Sequence, residues 1–154
     1  NLADDFKITS TPARHFSGRL FKRNTTLWSS YVLESPGKKI FIGGDSGYDI
    51  HFKKIGETFG PFDWAILENG QYNEKWKFIH TLPEEFGKVV NDLKSKNIFP
   101  GQSRKFALAQ HAWNEPLEKV KQNSFGKNYR LCTPMIGEKL NLDDESQTFS
   151  EWWK

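Results

Sequence analysis

The most restrictive stretch of this sequence is a strand–turn–helix pattern at residues 39–60. The apolar run KIFIGG is typical of a fully buried strand, and its two glycines let the backbone turn sharply. Asp45 follows directly, and DIHFKKIGETFG then repeats apolar residues at helical spacing until Gly60-Pro61 ends the helix. A strand that leads through a glycine-rich turn into a helix is typical of α/β proteins.

The rest of the chain continues this alternation. Strands are predicted at Phe6–Thr9, at 25–35, at 62–68, in NIFPG, in YRLCTP and in KLNLD, and the turn SPGKK joins 25–35 and 39–44 as a hairpin. KFALAQHAW is predicted as a helical stretch or a turn, and residues 115–122 as a helix. The clearest helix begins at Pro83, behind a capping box of Thr81 and Glu84, and repeats apolar residues at Phe86, Val89, Val90 and Leu93. We therefore predict an α/β sandwich layer.

Length and composition narrow the classes of function. The 154 residues suffice for one domain, and a net charge of +3 from 22 basic and 19 acidic residues argues against a nucleic-acid partner. The single cysteine, Cys132, excludes an internal disulfide and is predicted to be a core residue. No apolar run is long enough for a membrane span and no signal peptide is visible, so we expect a cytoplasmic protein. Because the chain begins at Asn1 and its only methionine is Met135, we expect a processed form or a fragment.

Three loops next to predicted strands and helices carry candidate functional residues: His15, Asp45 and His80. A carboxylate in a glycine-rich turn suits a divalent cation, and imidazoles from neighbouring loops suit zinc. Other interpretations remain open from the residues alone. His15 is equally typical of a loop histidine bonded to backbone, and Asp45 of a turn-forming aspartate.

Several separated motifs, in order along the chain, carry a resemblance to a known family. They are TPARHFSGR, TLWSSYVL, FIGGDSGYDIHFKKIGETFGPFDWAILENGQY, HTLPEE and KFALAQHAWNEPLE. Together they resemble the metallo-β-lactamase-fold hydrolases, in the branch that contains N-acyl-phosphatidylethanolamine phospholipase D and its bacterial relatives. The resemblance covers the second half of that fold. It implies that residues 1–154 are the C-terminal half of an αββα sandwich, a mixed sheet with helices on one face.

The resemblance also implies roles for individual residues. His15 stands where the family has a histidine that binds one of two zinc ions, and Asp45 stands where an aspartate bridges both ions. His80 matches a histidine beside the metals and near the scissile phosphate, where it stabilises charge or protonates a leaving oxygen.

Two departures from the family pattern limit this assignment. The metal signature His-x-His-x-Asp-His is absent, and Gln102 stands in the place of the family's final metal histidine. Glutamine is a poor zinc ligand, so either the second metal is held weakly, or the site has decayed, or His111 reaches across. His51, on the helix after Asp45, is predicted to lie on the surface.

The aromatic residues divide into two groups. Trp28, Trp64, Phe41 and Phe62 follow strand patterns and are predicted core residues, and the terminal EWWK is expected to fold back onto the domain. A second group lies in or near the site loops and either lines an acyl-chain groove or packs in the core: Tyr48, Tyr72, Trp76 and Trp113.

The leading hypothesis is therefore part of a binuclear zinc hydrolase, a phosphodiesterase with phospholipase D-like chemistry. The isolated chain is expected to be inactive, because it offers only His15, Asp45 and the weak donor Gln102. We expect it to need the missing N-terminal half or a homo-oligomer partner, to act on a phosphodiester or phospholipid, and to contact membranes at most peripherally. The alternative is a degenerate, non-catalytic binding protein of the same fold.

Overall fold

The computed structural model of the chain describes residues 5–19, 21–103, 106 and 108–154. Its elements, in chain order, are β1 (Lys7–Pro12), β2 (Gly18–Arg19), β3 (Lys22–Arg23), β4 (Ser29–Ser35), β5 (Lys38–Ile42), α1 (Ile50–Thr58), β6 (Phe62–Glu68), α2 (Pro83–Leu93), β7 (Ser95–Gly101), α3 (Glu115–Ser124) and β8 (Arg130–Leu131), with one 3₁₀ turn at Glu74–Trp76.

The main sheet is mixed, with the strand order β1-β4-β5-β6-β7-β8. β1, β4 and β5 are antiparallel neighbours, which confirms the predicted hairpin, and β5, β6, β7 and β8 run parallel. α1 connects β5 to β6, and α2 connects β6 to β7. The carboxyl ends of β5, β6 and β7 therefore meet at one edge of the sheet, where ligands bind in many α/β proteins.

One face of the sheet is covered by the helices. Phe41, Leu67 and Ile98 from the strands pack with the apolar side of α2, where Phe86, Val89, Val90 and Leu93 are all buried as predicted. Leu117 from α3 and Trp153 from the C-terminus join the same cluster, so the terminal EWWK does fold back onto the domain. This arrangement confirms a mixed sheet with helices on one face.

The opposite face of the sheet also carries apolar side chains, in two rows of cross-strand partners. The first row consists of Ile8, Leu33, Ile40 and Trp64. The second row consists of Tyr31, Ile42, Ile66 and Phe99. Several of these side chains are accessible: Ile8 is 52% exposed and Tyr31 is 44% exposed. Residues 134–142 cover only part of this face, above a groove of about 400 Å³ that Ile40, Trp64 and Phe99 help to line. We call this surface the open face.

Some predicted elements differ from the structure. KLNLD is irregular, because residues 139–143 lie across the sheet rather than beside its last strand, and Leu142 O accepts a hydrogen bond from Trp64 Nε1. The helical option for KFALAQHAW falls partly on residues outside the described range, and residues 108–113 of it form turns and irregular backbone. Within the described part of the chain, no helix has the length and apolarity needed to cross a bilayer.

The cap of α2 is also shifted by one residue from the prediction. Glu85, not Glu84, reaches back and accepts a hydrogen bond from Leu82 N at 3.1 Å. Thr81 does not cap the helix, because its hydroxyl donates to Ser46 O at 2.8 Å. The threonine is thus used to join two loops.

Candidate metal centre

The loops that carry His15, Asp45 and His80 meet at Ser46 and Gly47. Arg14 N donates to Ser46 Oγ at 2.9 Å, Gly47 N donates to Arg14 O at 2.9 Å, and Thr81 Oγ1 donates to Ser46 O. These bonds explain why residues from separate parts of the sequence converge. Each candidate residue is adjacent in sequence to a backbone or side chain that is tied to the same turn.

Gly47 makes this convergence sterically feasible. A Cβ atom at this position would lie 2.5 Å from both the carbonyl carbon and the oxygen of Phe78. No real Cβ comes so close to backbone, so the turn after β5 and the loop before α2 pack backbone to backbone only because residue 47 is glycine.

The structure brings the three predicted residues together. His15 Nε2 lies 3.9 Å from Asp45 Oδ2, and the rings of His15 and His80 meet edge to face with 5.2 Å between centroids. Asp45 and His80 also belong to a group, with Glu68, whose potential ligand atoms all lie within 4.8 Å of one another. The site is therefore a cluster of two imidazoles and two carboxylates at the edge of the sheet.

The contacts of the two ring nitrogens of His15 show whether these residues fit a metal ion. Its Nδ1 lies 3.0 Å from Phe16 O, and its ring stacks on Phe16 with 4.7 Å between centroids. Its Nε2 is buried and has no hydrogen-bond partner among the described residues, while the Asp45 side chain beyond it is 42% exposed. A fixed imidazole with an unpaired nitrogen that faces an accessible carboxylate fits one part of a zinc-type site.

Glu68, the fourth member of the cluster, was missed by the sequence reasoning. Its side chain is only 5% exposed, and its Oε2 lies 2.5 Å from His80 Nδ1. Its Oε1 accepts hydrogen bonds from Ser46 N at 3.0 Å and Thr81 N at 2.9 Å. The signal was present in the sequence, because β6 ends in a carboxylate next to the strand that delivers Asp45.

Burial and mutual attraction shift the pKa values of Glu68 and His80. Burial raises the pKa of the Glu68 carboxyl above its usual range, against the bonds from His80, Thr81 and Ser46, which lower it. Burial by itself would lower the pKa of His80, but the hydrogen bond and charge of Glu68, with the charge of Asp45, raise that pKa above its ordinary value. His80 therefore keeps its proton to higher pH than a free histidine does.

No hydrogen bond among the described residues joins the remaining polar candidates to this cluster. Gln102 follows Gly101, which is paired with Glu68 in the sheet, and it has a left-handed backbone (φ 57°) and an exposed side chain. Within the described part of the chain it forms no hydrogen bond with the cluster, so its role as a ligand stays a prediction. His111 is held elsewhere, because its Nε2 lies 3.0 Å from Gly70 O and its ring stacks on Tyr72.

The prediction that His51 lies on the surface is wrong. Its ring packs against Phe52 with 4.1 Å between centroids, and its Nε2 lies 3.1 Å from Ser46 Oγ. Burial lowers its pKa, which favours the neutral ring. His51 thus stabilises the Ser46 turn through its contact with the Ser46 hydroxyl.

Aromatic and cationic side chains border the cluster. The ring of Trp76 lies 6.2 Å from that of His80, and the Arg14 guanidinium lies 4.6 Å from the ring centre of Phe78. Phe16 is 41% exposed and Phe78 is 57% exposed. Two other predicted candidates pack inside the domain instead: Tyr72 is buried, and Tyr48 packs against the core cluster. The Tyr48 hydroxyl donates to Asp92 and the Tyr72 hydroxyl to Glu115.

Comparison with protein families adds an independent finding. The family model described as the beta-lactamase superfamily domain matches residues 1–101. This range includes all four members of the cluster and ends at the last residue of β7.

Two curated relatives show how far the similarity extends. The outer membrane protein RomA of Klebsiella pneumoniae is 50% identical over 101 residues, which are 66% of this chain and 76% of that protein. The mitochondrial N-acyl-phosphatidylethanolamine-hydrolyzing phospholipase D of Saccharomyces cerevisiae is 38% identical over 147 residues, which are 90% of this chain and 31% of that protein.

Among solved structures, a metallo hydrolase of the archaeon Ignicoccus hospitalis matches with a TM-score of 0.63 and 20% identity, over 86% of this chain and 51% of that one. At this identity the match shows the fold alone. The chain thus spans about half of the similar structure. An uncharacterized protein of Mycobacterium bovis is 36% identical over 98% of this chain, and the aligned region is 41% of that protein.

Proposed function

The chain belongs to the beta-lactamase superfamily, and we propose that residues 1–154 supply the C-terminal half of a binuclear zinc-dependent hydrolase domain of the phosphodiesterase, phospholipase D-like type. The observation that carries this proposal is the cluster of His15, Asp45 and His80, with the unpaired Nε2 of His15 facing Asp45. The name of the yeast relative supports the choice of a phosphodiester among the substrates of this fold.

In this proposal the residues of the chain have distinct roles. His15 and Asp45 would hold zinc, with Asp45 as the ligand that two ions share. The chemistry that zinc supplies at such a site is polarisation of the phosphoryl oxygen and activation of water near neutral pH. Glu68 raises the pKa of His80, which favours the charged ring, so His80 would stabilise charge on the phosphate or protonate the leaving oxygen.

The ligand set within this chain is incomplete. A zinc site takes roughly three or four protein ligands. Because Glu68 and His80 are bonded to each other and have other roles in this proposal, this chain offers His15, Asp45 and the exposed Gln102. We therefore propose that the isolated chain is inactive and that the first half of the domain brings the remaining ligands. The open face, with its two apolar rows, is the surface on which that half, or a second copy of the chain, would pack.

The surroundings of the cluster support a phospholipid substrate. Phe16 and Phe78 give exposed apolar surface at the rim. The Arg14 guanidinium lies beside Phe78 and is paired with Asp49 at 3.2 Å, so a phosphate would share this cation with Asp49. A phosphodiester with apolar chains has the matching pattern, an anionic centre next to hydrocarbon. The same rim would allow a peripheral contact with a membrane.

Gln102 favours a second candidate function, a non-catalytic binding protein of the same fold. An amide oxygen is a weaker zinc donor than an imidazole, and the Gln102 side chain is exposed at the sheet edge. In this version the cluster binds a metal or an anionic ligand without turnover.

The test uses the full-length protein and measures zinc content together with hydrolysis of a panel of phosphodiesters, including N-acyl-phosphatidylethanolamine. Asp45→Asn and His15→Ala are expected to lower bound zinc and to lower activity by more than about 100-fold. This loss exceeds the usual effect of mutating a residue that only hydrogen-bonds to a metal ligand. Asp143→Asn, an 80% exposed carboxylate away from the cluster, is the matched control and should change neither.

Two outcomes would contradict the proposal. Full zinc occupancy with no turnover of any diester would reject the hydrolase and favour the binding protein. Unchanged zinc binding in both Asp45→Asn and His15→Ala would reject the cluster as the metal site.

A further inference from the structure

Glu68 is buried in contact with His80. Its side chain is 5% exposed, compared with 12% for His80 and 42% for Asp45. A carboxylate this deep is costly unless every lone pair that faces the protein has a donor. Glu68 has described polar partners at both of its oxygens.

The two oxygens of Glu68 have different partners. Oε1 accepts from two backbone groups, Ser46 N and Thr81 N, neither of which can reverse its polarity. Oε2 faces His80 Nδ1 at 2.5 Å. Two fixed N–H donors on Oε1 oppose the burial that favours the neutral acid, and Nδ1 of the imidazole faces Oε2. This arrangement favours the ionised carboxylate, with the shared proton on Nδ1.

With Nδ1 engaged, the other nitrogen of the ring is left for the site. His80 Nε2 forms no hydrogen bond with any residue that the structure describes, and the ring stands edge to face against His15. The tautomer of the neutral ring therefore decides what the cluster receives from it: a lone pair on Nε2 when the proton is on Nδ1, or an N–H on Nε2 when the proton is there.

We propose that Glu68 is a positioning residue: it fixes a proton on His80 Nδ1 and thereby presents Nε2 as the reactive nitrogen at the candidate metal centre. The consequence for turnover rests on the proposed hydrolase function. The hydrogen-bond geometry, and the test of the tautomer, concern only residues of this chain.

The isosteric variant Glu68→Gln should reverse this arrangement. The amide oxygen must take the Oε1 position, because two N–H donors face it, so the amide NH₂ takes the Oε2 position and donates to His80 Nδ1. The ring proton then moves to Nε2. Long-range ¹⁵N–¹H correlation spectra of the metal-free full-length protein, at alkaline pH where imidazole is neutral, distinguish the two tautomers.

We expect Nδ1–H for His80 in the wild type and Nε2–H in Glu68→Gln, with the His80 signals assigned by their loss in His80→Asn. Glu85→Gln is the matched control, because it makes the same change in a carboxylate of α2 that caps Leu82 N without touching His80. The control should keep the wild-type tautomer.

The wild-type spectrum alone is decisive if Glu68→Gln does not fold, since an Nε2–H tautomer in the wild type overturns the proposal. An unchanged Nδ1–H tautomer in folded Glu68→Gln overturns it as well.

Hydrolysis provides the second readout. Glu68→Gln should lower kcat about 10- to 100-fold with little change in KM, the usual cost of altering the carboxylate behind a functional histidine. If the tautomer reverses while kcat stays at the wild-type value, the role in catalysis is rejected. If the wild type hydrolyses no diester, the proposed function fails, while the tautomer still tests Glu68.

Discussion

The two faces of the main sheet are built from alternate residues of the same strands, and they end in different environments. Leu67 on β6 faces the helices and is 4% exposed, whereas its neighbour Ile66 faces the other way and is 37% exposed. The side chains are isomers of equal apolar content. What differs is the cover, because α1, α2 and α3 all pack on one side.

This difference shows which part of the architecture the chain completes by itself. The helical side has a closed core from β4 to β7, and the open face presents apolar rows that, among the described residues, the segment 134–142 covers in part. An exposed, continuous apolar face of this kind is typical of a surface that is covered in the assembled protein. The candidate metal centre lies at the edge of both faces.

The largest effect on stability is expected from the two variants Leu67→Ala and Ile66→Ala of this chain, which compare the two faces directly. Leu67→Ala should cost about 3 kcal/mol in free energy of unfolding, because it leaves a cavity in a closed core. Ile66→Ala should cost about 1 kcal/mol, because part of its surface is already in water. Urea unfolding measures both. Equal losses would break the comparison, and a larger loss for Ile66→Ala in the full-length protein would sharpen it.

Trp64→Phe probes a part of the open face that residues 134–142 cover. Trp64 is 2% exposed, and its Nε1 donates to Leu142 O at 3.2 Å. Loss of this hydrogen bond should destabilise the chain by about 1 kcal/mol and loosen residues 134–142. Amide hydrogen exchange of that segment would show the loosening, and unchanged exchange would mean that the segment is held by other contacts.

The smallest expected effect is a pH dependence on the helical side. Burial, together with the hydrogen bond to Asp92, raises the pKa of Tyr48 above its ordinary value. The stability from this group is therefore complete below about pH 10, the unfolded value, and is lost as the pH rises through the higher folded value.

Tyr48→Phe should accordingly cost less than about 1 kcal/mol at neutral pH, and its difference from the wild type should shrink in alkali. Urea unfolding at several pH values measures this change. Tyr31→Phe, on the open face, is the control and should lose no stability at neutral pH. A pH-independent difference for Tyr48→Phe would contradict the assigned cause.

Much of the fold follows from local patterns in the sequence. The strand at 62–68 and the start of α2 at Pro83 were predicted at their observed residues, because strong periodicity and a proline at the first helical turn act within a few residues. KLNLD alternates in the same manner but forms no strand, since no sheet edge is available where residues 139–143 lie. Its apolar residues cover the open face instead.

The candidate site was predictable in its members but not in their connections. Spacing and family resemblance pointed to His15, Asp45 and His80, and the structure places these side chains together. Glu68 escaped notice because a glutamate at the end of a strand is usually solvated, and only the fold shows that two backbone N–H groups and the His80 ring surround it. Thr81 was misassigned for the same reason, since its partner Ser46 is distant in sequence.

The absence of a side chain at position 47 also determines how this site can change shape. Because the turn after β5 touches the backbone of Phe78, neither segment can slide without displacing the other. Asp45 and His80 are thus anchored to a shared pivot, which the His15 loop joins through the hydrogen bonds of Arg14 with Ser46 and Gly47. Lengthening either of the two coupled segments during evolution would disturb both residues at once, whereas insertions beyond Phe16 leave that pivot intact.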